Sequence, residues 1–488
     1  MSLSRREFLE SSLGAAYALS GFTASEGRVD APAPYYPVPS PRQLAWHELE
    51  FYGFLHFTLN TFTNREWGDG DESPSLFNPI DFDADQIVGA ARDGGMTGLI
   101  LTCKHHDGFC LWPSRYTEHS VKNSPFKRDV VKEISEACSR QGVRFGIYLS
   151  PWDRNHKEYG TPAYLVYYRN QLRELLTEYG PVFEIFFDGA NGGDGYYGGA
   201  YERREIDNRS YYDWPNMWKL VRDIQPKTVM FSDAGPDVRW VGNERGIAGE
   251  TCWATQNSAD FAPGRADVER LNRGDRPGTH WVPPECDVSI RPGWFYHQHE
   301  DDQVKTPQQL VDLYYSSVGR GASLLLNLPH DRRGRIHETD ARSLREFRRI
   351  IDRTFGTKLP AVARASDDHW RGRDPRFAPR NVLDGRRDTY WSTDDGVTTP
   401  SLVLEMHQPT TFNIVRVREY LPLGQRVEAI KVDTWREGSW QEFGGATSIG
   451  NCRLIRGART TTTRVRLRVT QAPVCPAISD VGLFAEPA

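Results

Sequence analysis

Between about residue 50 and residue 355, short apolar runs alternate with segments of helical periodicity. The apolar runs lack polar alternation, which is typical of strands buried on both faces of a parallel sheet. They predict strands at Phe51–Phe57, Thr97–Leu101, Phe145–Leu149, Val182–Phe187, Thr228–Phe231 and Ala322–Leu326. Apolar positions three and four residues apart predict helices at Phe82–Asp93, Asp129–Gln141, Ala163–Tyr179, Asp213–Ile224, Pro307–Val318 and Ala341–Thr354. Repeated β–α units of this kind predict an α/β fold, a TIM-like (β/α)8 barrel, with two further strands between Trp240 and Arg291.

The pattern changes after Thr357. Short alternating runs at Phe412–Val417, Ala429–Thr434 and Thr463–Leu467 are separated by turn residues, which indicates an antiparallel, all-β sandwich. We therefore predict a barrel domain over residues 31–357 and a β-sandwich over residues 358–488, with the boundary near residues 356–366.

The first 30 residues differ from both domains. Arg5 and Arg6 precede Phe8-Leu9 and a mildly apolar run, a pattern typical of the twin-arginine signal that carries folded proteins across the bacterial inner membrane. An ordinary basic helix is the alternative, since Glu10 interrupts the apolar stretch. We expect export by this route to the periplasm or the cell exterior. No other stretch reaches the roughly 18 apolar residues that a membrane span needs.

Composition narrows the function classes. Hydrophobic residues make up 38% of the chain and charged residues 26%, which excludes a disordered protein. A net charge of −5 gives no support for a nucleic-acid partner, because such proteins concentrate positive charge. The 14 Trp and the near-neutral charge favour sugar binding only weakly, because an aromatic-rich core has the same composition. The seven scattered cysteines do not form the pattern of a disulfide framework or a zinc ribbon.

Polar residues that follow the apolar runs are the candidates for chemistry, because barrel enzymes act at the carboxyl ends of their strands. His56 follows the first strand, His105 and His106 follow the second, and Asp188 with Gly189 follows the fourth. Later segments add Asp233, Glu244, Glu250, Trp281, Glu285 and Trp294. A pocket of histidines, carboxyl groups and tryptophans suits carbohydrate hydrolysis, in which two carboxyl groups share the work.

Two of these candidates have alternative interpretations. Asp188 is either a carboxylate aimed into the pocket or a cap for the following turn, and Gly189 would let a substrate approach the backbone closely. Neighbouring strand residues point to opposite faces, so His105 and His106 are expected to bind substrate hydroxyls rather than share a metal ion. For each of these two histidines, the alternative is a core residue whose ring nitrogens are hydrogen-bonded within the protein.

Six segments, in order between about residues 40 and 355, resemble the α-L-fucosidases of glycoside hydrolase family 29. They are Phe54–Thr58, Glu66–Gly68, Lys104–Phe109, Phe187–Asn191, Gly235–Glu244 and Ser289–Trp294. The resemblance implies a retaining exo-α-L-fucosidase that needs no cofactor for catalysis and acts on a fucosylated oligosaccharide or glycoconjugate. Two of the segments resemble the subfamily that prefers branched α-1,3/1,4-linked fucose. A barrel that binds carbohydrate without hydrolysing it, and a glycosidase for another α-L-sugar, are the alternatives.

Carried over position by position, the resemblance implies Asp188 as the nucleophile and Glu244 as the general acid/base. Glu250 and Asp233 remain rival acids, because Gly192–Gly199 reads as an insertion that lengthens the interval after Asp188. The sugar-binding positions of the family match His56, Glu66, Trp67, His105, His106, Tyr148 and Trp294. Plain core packing is the alternative for Trp67 and Trp294.

The C-terminal region resembles a discoidin-like (galactose-binding-like) sandwich. The residues that carry this resemblance are Asn381–Gly385, Asp388–Trp391 and Ile478–Val481. It implies a structural Ca²⁺ with Asp384, Asp388 and Asp480 as ligands, since Ca²⁺ needs several hard oxygens. Sugar binding and a purely structural role are both open for this domain, and the sequence indicates no oligomeric state.

Overall fold

The computed structural model describes residues 29–265, 267–365 and 369–487. The predicted twin-arginine signal, including Arg5 and Arg6, lies outside the described residues. No helix in the described part of the chain has the length and apolar character required to cross a membrane.

The first and larger part of the described chain is built on a closed barrel of eight parallel strands. The described residues of this part form twelve strands, of which eight build the barrel. In chain order they are β1 (Phe51–Leu55), β2 (Gly98–Lys104), β3 (Arg144–Leu149), β4 (Glu184–Phe186), β5 (Gly193–Gly195), β6 (Glu202–Arg204), β7 (Val229–Ser232), β8 (Val238–Trp240), β9 (Thr255–Gln256), β10 (His280–Trp281), β11 (Pro284–Ser289) and β12 (Ser323–Asn327). The barrel order is β1-β12-β11-β8-β7-β4-β3-β2, and β5–β6 and β9–β10 are small separate ribbons. The predicted barrel is confirmed, and with it the six strands read from apolar runs.

Of the remaining two barrel strands, β11 lies in the predicted window between Trp240 and Arg291, and β8 does not. β8 ends at Trp240, just before the predicted window, and its three residues carry no apolar run. β11 reads Pro-Glu-Cys-Asp-Val-Ser and places Glu285 and Asp287 in buried positions. A buried polar strand has no signature in a hydrophobic pattern, because its polar side chains are satisfied by hydrogen bonds to other elements and not by apolar contacts.

The helices are α1 (Pro41–His47), α2 (Leu59–Thr63), α3 (Ala84–Asp93), α4 (Val130–Gln141), α5 (Pro162–Glu178), α6 (Trp214–Ile224), α7 (Val268–Arg273), α8 (Pro307–Ser316) and α9 (Glu338–Phe355). Their ends follow from local chemistry. Asp129 accepts a hydrogen bond from the Lys132 N–H at the start of α4, and Gly142 ends that helix in the left-handed region, with φ of 70°. All six predicted helices are present within a few residues of their predicted bounds.

The second domain is an antiparallel sheet of seven strands that folds over its own apolar core, as predicted. Its strands are β13 (Val362–Ala365), β14 (Trp391–Ser392), β15 (Ser401–Glu419), β16 (Ala429–Arg436), β17 (Ser439–Ala446), β18 (Arg453–Gln471) and β19 (Ala477–Phe484). The predicted short runs at Phe412–Val417 and Thr463–Leu467 are parts of 19-residue strands. Register shifts between β15 and β18 let these long strands bend.

Ion pairs and hydrogen bonds join the sandwich to the bottom and side of the barrel. Arg418 pairs with Glu50, which lies just before β1. The Asn451 amide donates to the His47 carbonyl over 3.0 Å, and Arg276 pairs with Glu428 over 3.1 Å. α9 ends at Phe355 and β13 begins at Val362, so the chain passes from one domain to the other within the predicted boundary region.

Two carboxyl groups meet inside the barrel, near the amino ends of its strands. Glu184 begins β4, and its carboxyl lies beside that of Glu285 on β11. Oε1 of each group is buried without a hydrogen-bond donor among the described residues, so a proton held between the two groups would satisfy both. Tyr52 donates to Glu285, and the Trp46 indole donates to Glu184 over 2.8 Å. Burial raises the pKa of both carboxyl groups.

This acid pair predicts a pH-dependent stability. The folded chain keeps the shared proton to higher pH than the unfolded chain, so its stabilising effect is complete below the ordinary glutamate pKa of about 4.3 and is lost as pH rises through the raised folded value. Glu285→Gln removes the titration and keeps a donor and an acceptor. We expect its Tm to exceed that of the wild type by about 2–6 °C at alkaline pH, with little difference at mildly acid pH.

Thermal melts across this pH range provide the check. Glu442→Gln is the control, because Glu442 is 53% exposed and should leave the pH dependence of Tm unchanged. An unchanged pH dependence of Tm in Glu285→Gln would show that the pair does not share a proton.

Candidate active site

A small cavity of about 100 Å³ opens at the carboxyl ends of the barrel strands. All nine residues that the sequence assigned to the active site line it: His56, Glu66, Trp67, His105, His106, Tyr148, Asp188, Glu244 and Trp294. Phe54, Phe186, Ala190 and Asp287 complete the wall. The Phe54 and Phe186 rings, with centroids 4.9 Å apart, belong to the apolar core of the barrel beneath the cavity.

Asp188 lies two residues beyond the end of β4 and is half-buried. Its Oδ1 accepts from the Ala190 N–H over 2.6 Å, and its Oδ2 accepts from the Tyr148 hydroxyl over 3.0 Å. Burial raises the pKa of this carboxyl, and the two hydrogen bonds oppose the rise because they stabilise the charged form. The Ala190 contact is of the turn-capping kind, so Asp188 both caps its turn and faces the cavity.

Glu244 reaches the same cavity from the loop after β8. Its Oε2 accepts from the Trp294 indole N–H over 3.2 Å. Desolvation raises the pKa of Glu244, the negative charges of Asp188 and Glu66 raise it further, and the indole hydrogen bond opposes the shift. The result is a pair of carboxyl groups held by different partners, with the proton favoured on Glu244 by its negative neighbours.

His56 follows β1 and is held by Asn327, the last residue of β12. The Asn327 amide group donates to Ser289 and to the Trp294 carbonyl, which leaves its oxygen to accept from His56 Nδ1 over 2.8 Å. The proton therefore sits on Nδ1, and Nε2 is a hydrogen-bond acceptor. Burial lowers the pKa of His56 to about 3, so the ring is neutral.

His105 and His106 both face the cavity, although they are neighbours in sequence. β2 ends at Lys104, and a register shift against β3 between Thr102 and Lys104 breaks the alternation that we had assumed. The two rings lie 4.1 Å apart between centroids. Two neutral rings therefore reach one cavity, since burial lowers the pKa of His106 to about 3 and that of His105 well below its ordinary value.

Their partners determine which protons they offer. Ser150 donates its own proton to the Trp152 carbonyl, so it accepts from His106 Nδ1 over 2.7 Å and leaves His106 Nε2 as an acceptor. The Asn60 amide donates to His105 Nδ1 over 3.4 Å, which makes His105 Nε2–H a donor. The cavity thus presents a mixture of donors and acceptors that matches a ring bearing several hydroxyl groups.

Glu66 lines the cavity, and its carboxylate also accepts hydrogen bonds from other groups of the protein. Its Oε2 accepts from the Trp294 N–H over 2.8 Å, and its Oε1 accepts from Phe295 N–H and His297 Nε2 over 3.1 and 2.6 Å. These bonds fix the loop that carries Trp294. Trp67 is 52% exposed and stands edge-on to His106 and Trp152, so it forms the rim of the cavity and is not part of the core.

Asp287 is the carboxyl group that sequence reasoning missed. It lies on β11, and its Oδ1 accepts from the Trp240 indole over 2.8 Å. Burial raises the pKa of Asp287 well above its ordinary value, and the nearby Glu244 and Glu285 raise it further. The sequence did not indicate Asp287 because its strand, β11, contains no apolar run.

Neither rival acid lines the cavity among the described residues. Glu250 is exposed and pairs with Arg320 at the contact with the sandwich. The Asp233 carboxyl lies against Gly189 and accepts from Gly264 N–H over 2.9 Å, and burial raises its pKa to about 7. A Cβ on residue 189 would come within 2.1 Å of Asp233 Oδ2, so a larger residue there would force the Asp233 side chain to move.

The insertion does not displace Glu244. Gly193–Gly195 forms β5, pairs with β6, and the segment packs on Trp152, whose indole donates to the Tyr197 hydroxyl over 2.9 Å. The extra residues therefore extend the rim beside Trp67. Two other sequence candidates lie elsewhere: Glu285 is in the acid pair, and Trp281 packs against His47.

The predicted calcium ligands, Asp384, Asp388 and Asp480, each have protein partners. Asp480 is buried and pairs with Lys358 and Arg416, while Asp388 pairs with the exposed Arg386. Asp384 accepts from Arg386 N–H and Thr389 within its own loop. Two cations already neutralise Asp480, and the described residues do not gather the three aspartates into one ligand group.

Comparison with known proteins agrees with this geometry. The alpha-L-fucosidase family model matches residues 40–353, and the F5/8 type C domain model matches residues 362–479. "Alpha-L-fucosidase 1" of Arabidopsis thaliana is 42% identical over 463 residues, which cover 93% of this chain and 89% of the relative. The "Putative alpha-L-fucosidase 1" of Oryza sativa is 40% identical and covers 96% and 88%.

Solved structures agree as well. A putative alpha-L-fucosidase from Bacteroides thetaiotaomicron is 37% identical, with a TM-score of 0.85 and coverage of 93% of this chain and 99% of that one. A Ruminococcus gnavus family 29 fucosidase in complex with fucose is 32% identical, with a TM-score of 0.84 and coverage of 95% and 97%. The chain belongs to glycoside hydrolase family 29, the α-L-fucosidases, and carries an F5/8 type C domain behind its catalytic barrel.

Proposed function

We propose that this α-L-fucosidase is a retaining exo-enzyme that removes α-1,3/1,4-linked fucose from branched glycans, with Asp188 as the nucleophile and Glu244 as the general acid/base. The observation that carries the proposal is the pair of carboxyl groups on one cavity, each in its own environment. Burial raises the pKa of both groups, but two hydrogen bonds oppose the rise at Asp188, whereas the negative charges of Asp188 and Glu66 add to it at Glu244. A retaining glycosidase needs one ionised and one protonated carboxyl group.

The chemistry follows from these two groups. Asp188 attacks the anomeric carbon, and a bond from Asp188 oxygen to that carbon forms as the glycosidic bond breaks. Glu244 gives its proton to the departing oxygen of the aglycone. A water then gives a proton to the ionised Glu244 and attacks the same carbon from the side the aglycone left, which restores the Asp188 carboxylate and releases fucose.

The three histidines and the apolar wall suit fucose as the bound ring. His56 and His106 offer acceptors and His105 offers a donor, which covers the polar edge of a sugar with several hydroxyl groups. Phe54 and Phe186 provide an apolar floor for the C5 methyl of fucose. The related Ruminococcus gnavus fucosidase in complex with fucose supports this assignment.

The size of the cavity supports removal of single terminal residues. At about 100 Å³, closed below by the barrel core, it accepts one ring and leaves the remainder of the glycan outside, beside Trp67.

Product stereochemistry and substrate choice test the proposal. We expect proton NMR to detect the α anomer of fucose as the first product from a nitrophenyl α-L-fucoside. A Lewis-type trisaccharide with α-1,3/1,4-linked fucose should react at least about ten-fold faster, by kcat/KM, than 2′-fucosyllactose. The β anomer as first product would contradict retention, and the reverse order of substrates would contradict the linkage preference.

The export route is a separate part of the proposal, supported by Arg5 and Arg6 before Phe8-Leu9. Changing both arginines to lysine should leave active precursor in the cytoplasm, whereas Lys122→Arg, on the barrel, should export normally. Unchanged export of the double lysine variant would exclude the twin-arginine route.

A further inference from the structure

A second cavity, of about 670 Å³, lies between the barrel and the sandwich. The barrel contributes Asp312, Tyr315 and Ser316 from α8 together with Glu250 and Arg320, and strands β16, β17 and β18 form the opposite wall. We call it the junction cleft. It does not share a lining residue with the catalytic cavity.

Positive charge is concentrated in the junction cleft. Arg320, Lys431, Arg453 and Arg456 line it, against the carboxyl groups of Glu250 and Asp312. Three of the cations have acidic partners: Arg320 pairs with Glu250, Lys431 with Glu442, and Arg456 with Glu486 and Asp312.

Arg453 is the exception. It is only 3% exposed, and its guanidinium forms no ion pair with a carboxylate among the described residues. One Nη donates to Ser448 Oγ over 2.6 Å and to the Arg320 carbonyl over 3.5 Å, while Nε is buried without a partner. A buried, unpaired charge is costly, and desolvation lowers the pKa of Arg453 to about 10. An anion in the cleft would supply the missing charge.

The volume and the lining of the junction cleft suit a ligand larger than a simple inorganic ion. This volume falls within the range of sites for small organic ligands. Tyr315 offers an aromatic face, already covered on one side by the Arg456 guanidinium 4.9 Å from the ring centroid. Gly444 and Gly445 on β17 also line the cleft, where the Ile455 and Lys431 side chains pack against them.

The geometry points to the junction cleft as a binding site for an acidic sugar, one that carries a carboxylate or a sulfate, with Arg453 as the charge partner and Lys431 at the rim. Such a site would hold a charged branch of a glycan away from the catalytic cavity. It does not depend on which linkage the catalytic cavity cleaves.

Calorimetric titration of the full chain at physiological salt tests this. The probes are digalacturonate and galactose 6-sulfate, with neutral galactobiose and sodium sulfate as comparisons. We expect the two acidic sugars to bind with one-to-one stoichiometry, and galactobiose and sulfate to bind at least ten-fold more weakly. Arg453→Gln and Lys431→Glu should each weaken binding about ten-fold or more. Lys219→Glu, on α6 outside the cleft and 68% exposed, should leave it unchanged.

Hydrolysis of a nitrophenyl fucoside by each variant serves as the check on folding, because neither Arg453 nor Lys431 lines the catalytic cavity. If Arg453→Gln fails to fold, the exposed rim variant Lys431→Glu carries the test alone. The proposal is overturned if wild type does not bind the acidic sugars, if sodium sulfate or galactobiose binds as well as they do, or if neither variant weakens binding. If the wild-type enzyme does not hydrolyse the fucoside, that result contradicts the proposed function and not the binding site in the junction cleft.

Discussion

Asp188→Gly is expected to lose at least about 10⁴-fold in kcat on a nitrophenyl α-L-fucoside, with the fold intact. The reason is that the covalent intermediate needs an ionised carboxylate at this position, and Tyr148 and the Ala190 N–H hold only Asp188 there. Steady-state kinetics measure the loss, and thermal melts report the fold.

Azide separates a missing nucleophile from a general loss of activity. In Asp188→Gly, azide can enter the vacated space and displace the aglycone directly, so the expected product is the inverted β-fucosyl azide. Tyr148→Phe is the matched control, since it removes one hydrogen bond to Asp188 and keeps the carboxylate, and we expect a loss of only about ten- to hundred-fold. Near-normal turnover in Asp188→Gly would end the assignment of this residue.

Glu244→Ala is expected to lose about 10²–10⁴-fold in kcat/KM on a fucosylated oligosaccharide and far less on a nitrophenyl fucoside. A sugar alkoxide needs a proton as it departs, whereas a nitrophenolate barely does. Azide should restore turnover of the activated substrate, because it attacks the fucosyl-enzyme without a general base, and the product should be the retained α-fucosyl azide. The opposite configurations from the two variants would assign both carboxyl groups.

The rival carboxyl groups supply the controls. Glu250→Ala should behave as wild type on both substrates, since Glu250 pairs with Arg320 outside the cavity. Asp287→Asn keeps a neutral polar group beside Trp240, and because burial already favours the neutral acid, it should retain most activity at neutral pH. If Asp287→Asn or Asp233→Asn shows the leaving-group dependence and azide rescue while Glu244→Ala does not, the acid/base is misassigned.

The fold was largely predictable because the barrel buries most of its strands as apolar runs. β1, β2, β3, β4, β7 and β12 could be read this way, since each contains a run of buried apolar residues. β8 and β11 could not, because one is three residues long and the other buries two acids, Glu285 and Asp287, that accept hydrogen bonds from Tyr52 and Trp240. A hydrophobic pattern does not detect buried strands whose polar side chains are satisfied by hydrogen bonds.

The active site was predictable to the extent that its residues follow strand ends. That rule, with the family resemblance, brought nine side chains to one cavity. It did not indicate Asp287, which lies within a strand, nor that Gly189 faces Asp233. The partners of the predicted calcium ligands were not predictable either. A motif gives the residue types but not their partners, and Lys358 and Arg416 had no visible link to Asp480 in sequence.

The central claim is that Asp188 forms a covalent bond to fucose during turnover. A 2-deoxy-2-fluoro-fucosyl fluoride slows both steps and allows the intermediate to accumulate, so peptide mass mapping of the wild-type enzyme after incubation can locate the label. We predict one fucosyl equivalent per chain, attached to the peptide that contains Phe187-Asp188-Gly189. A label on Asp233, Glu244 or Asp287, or inactivation without any covalent label, would contradict the account.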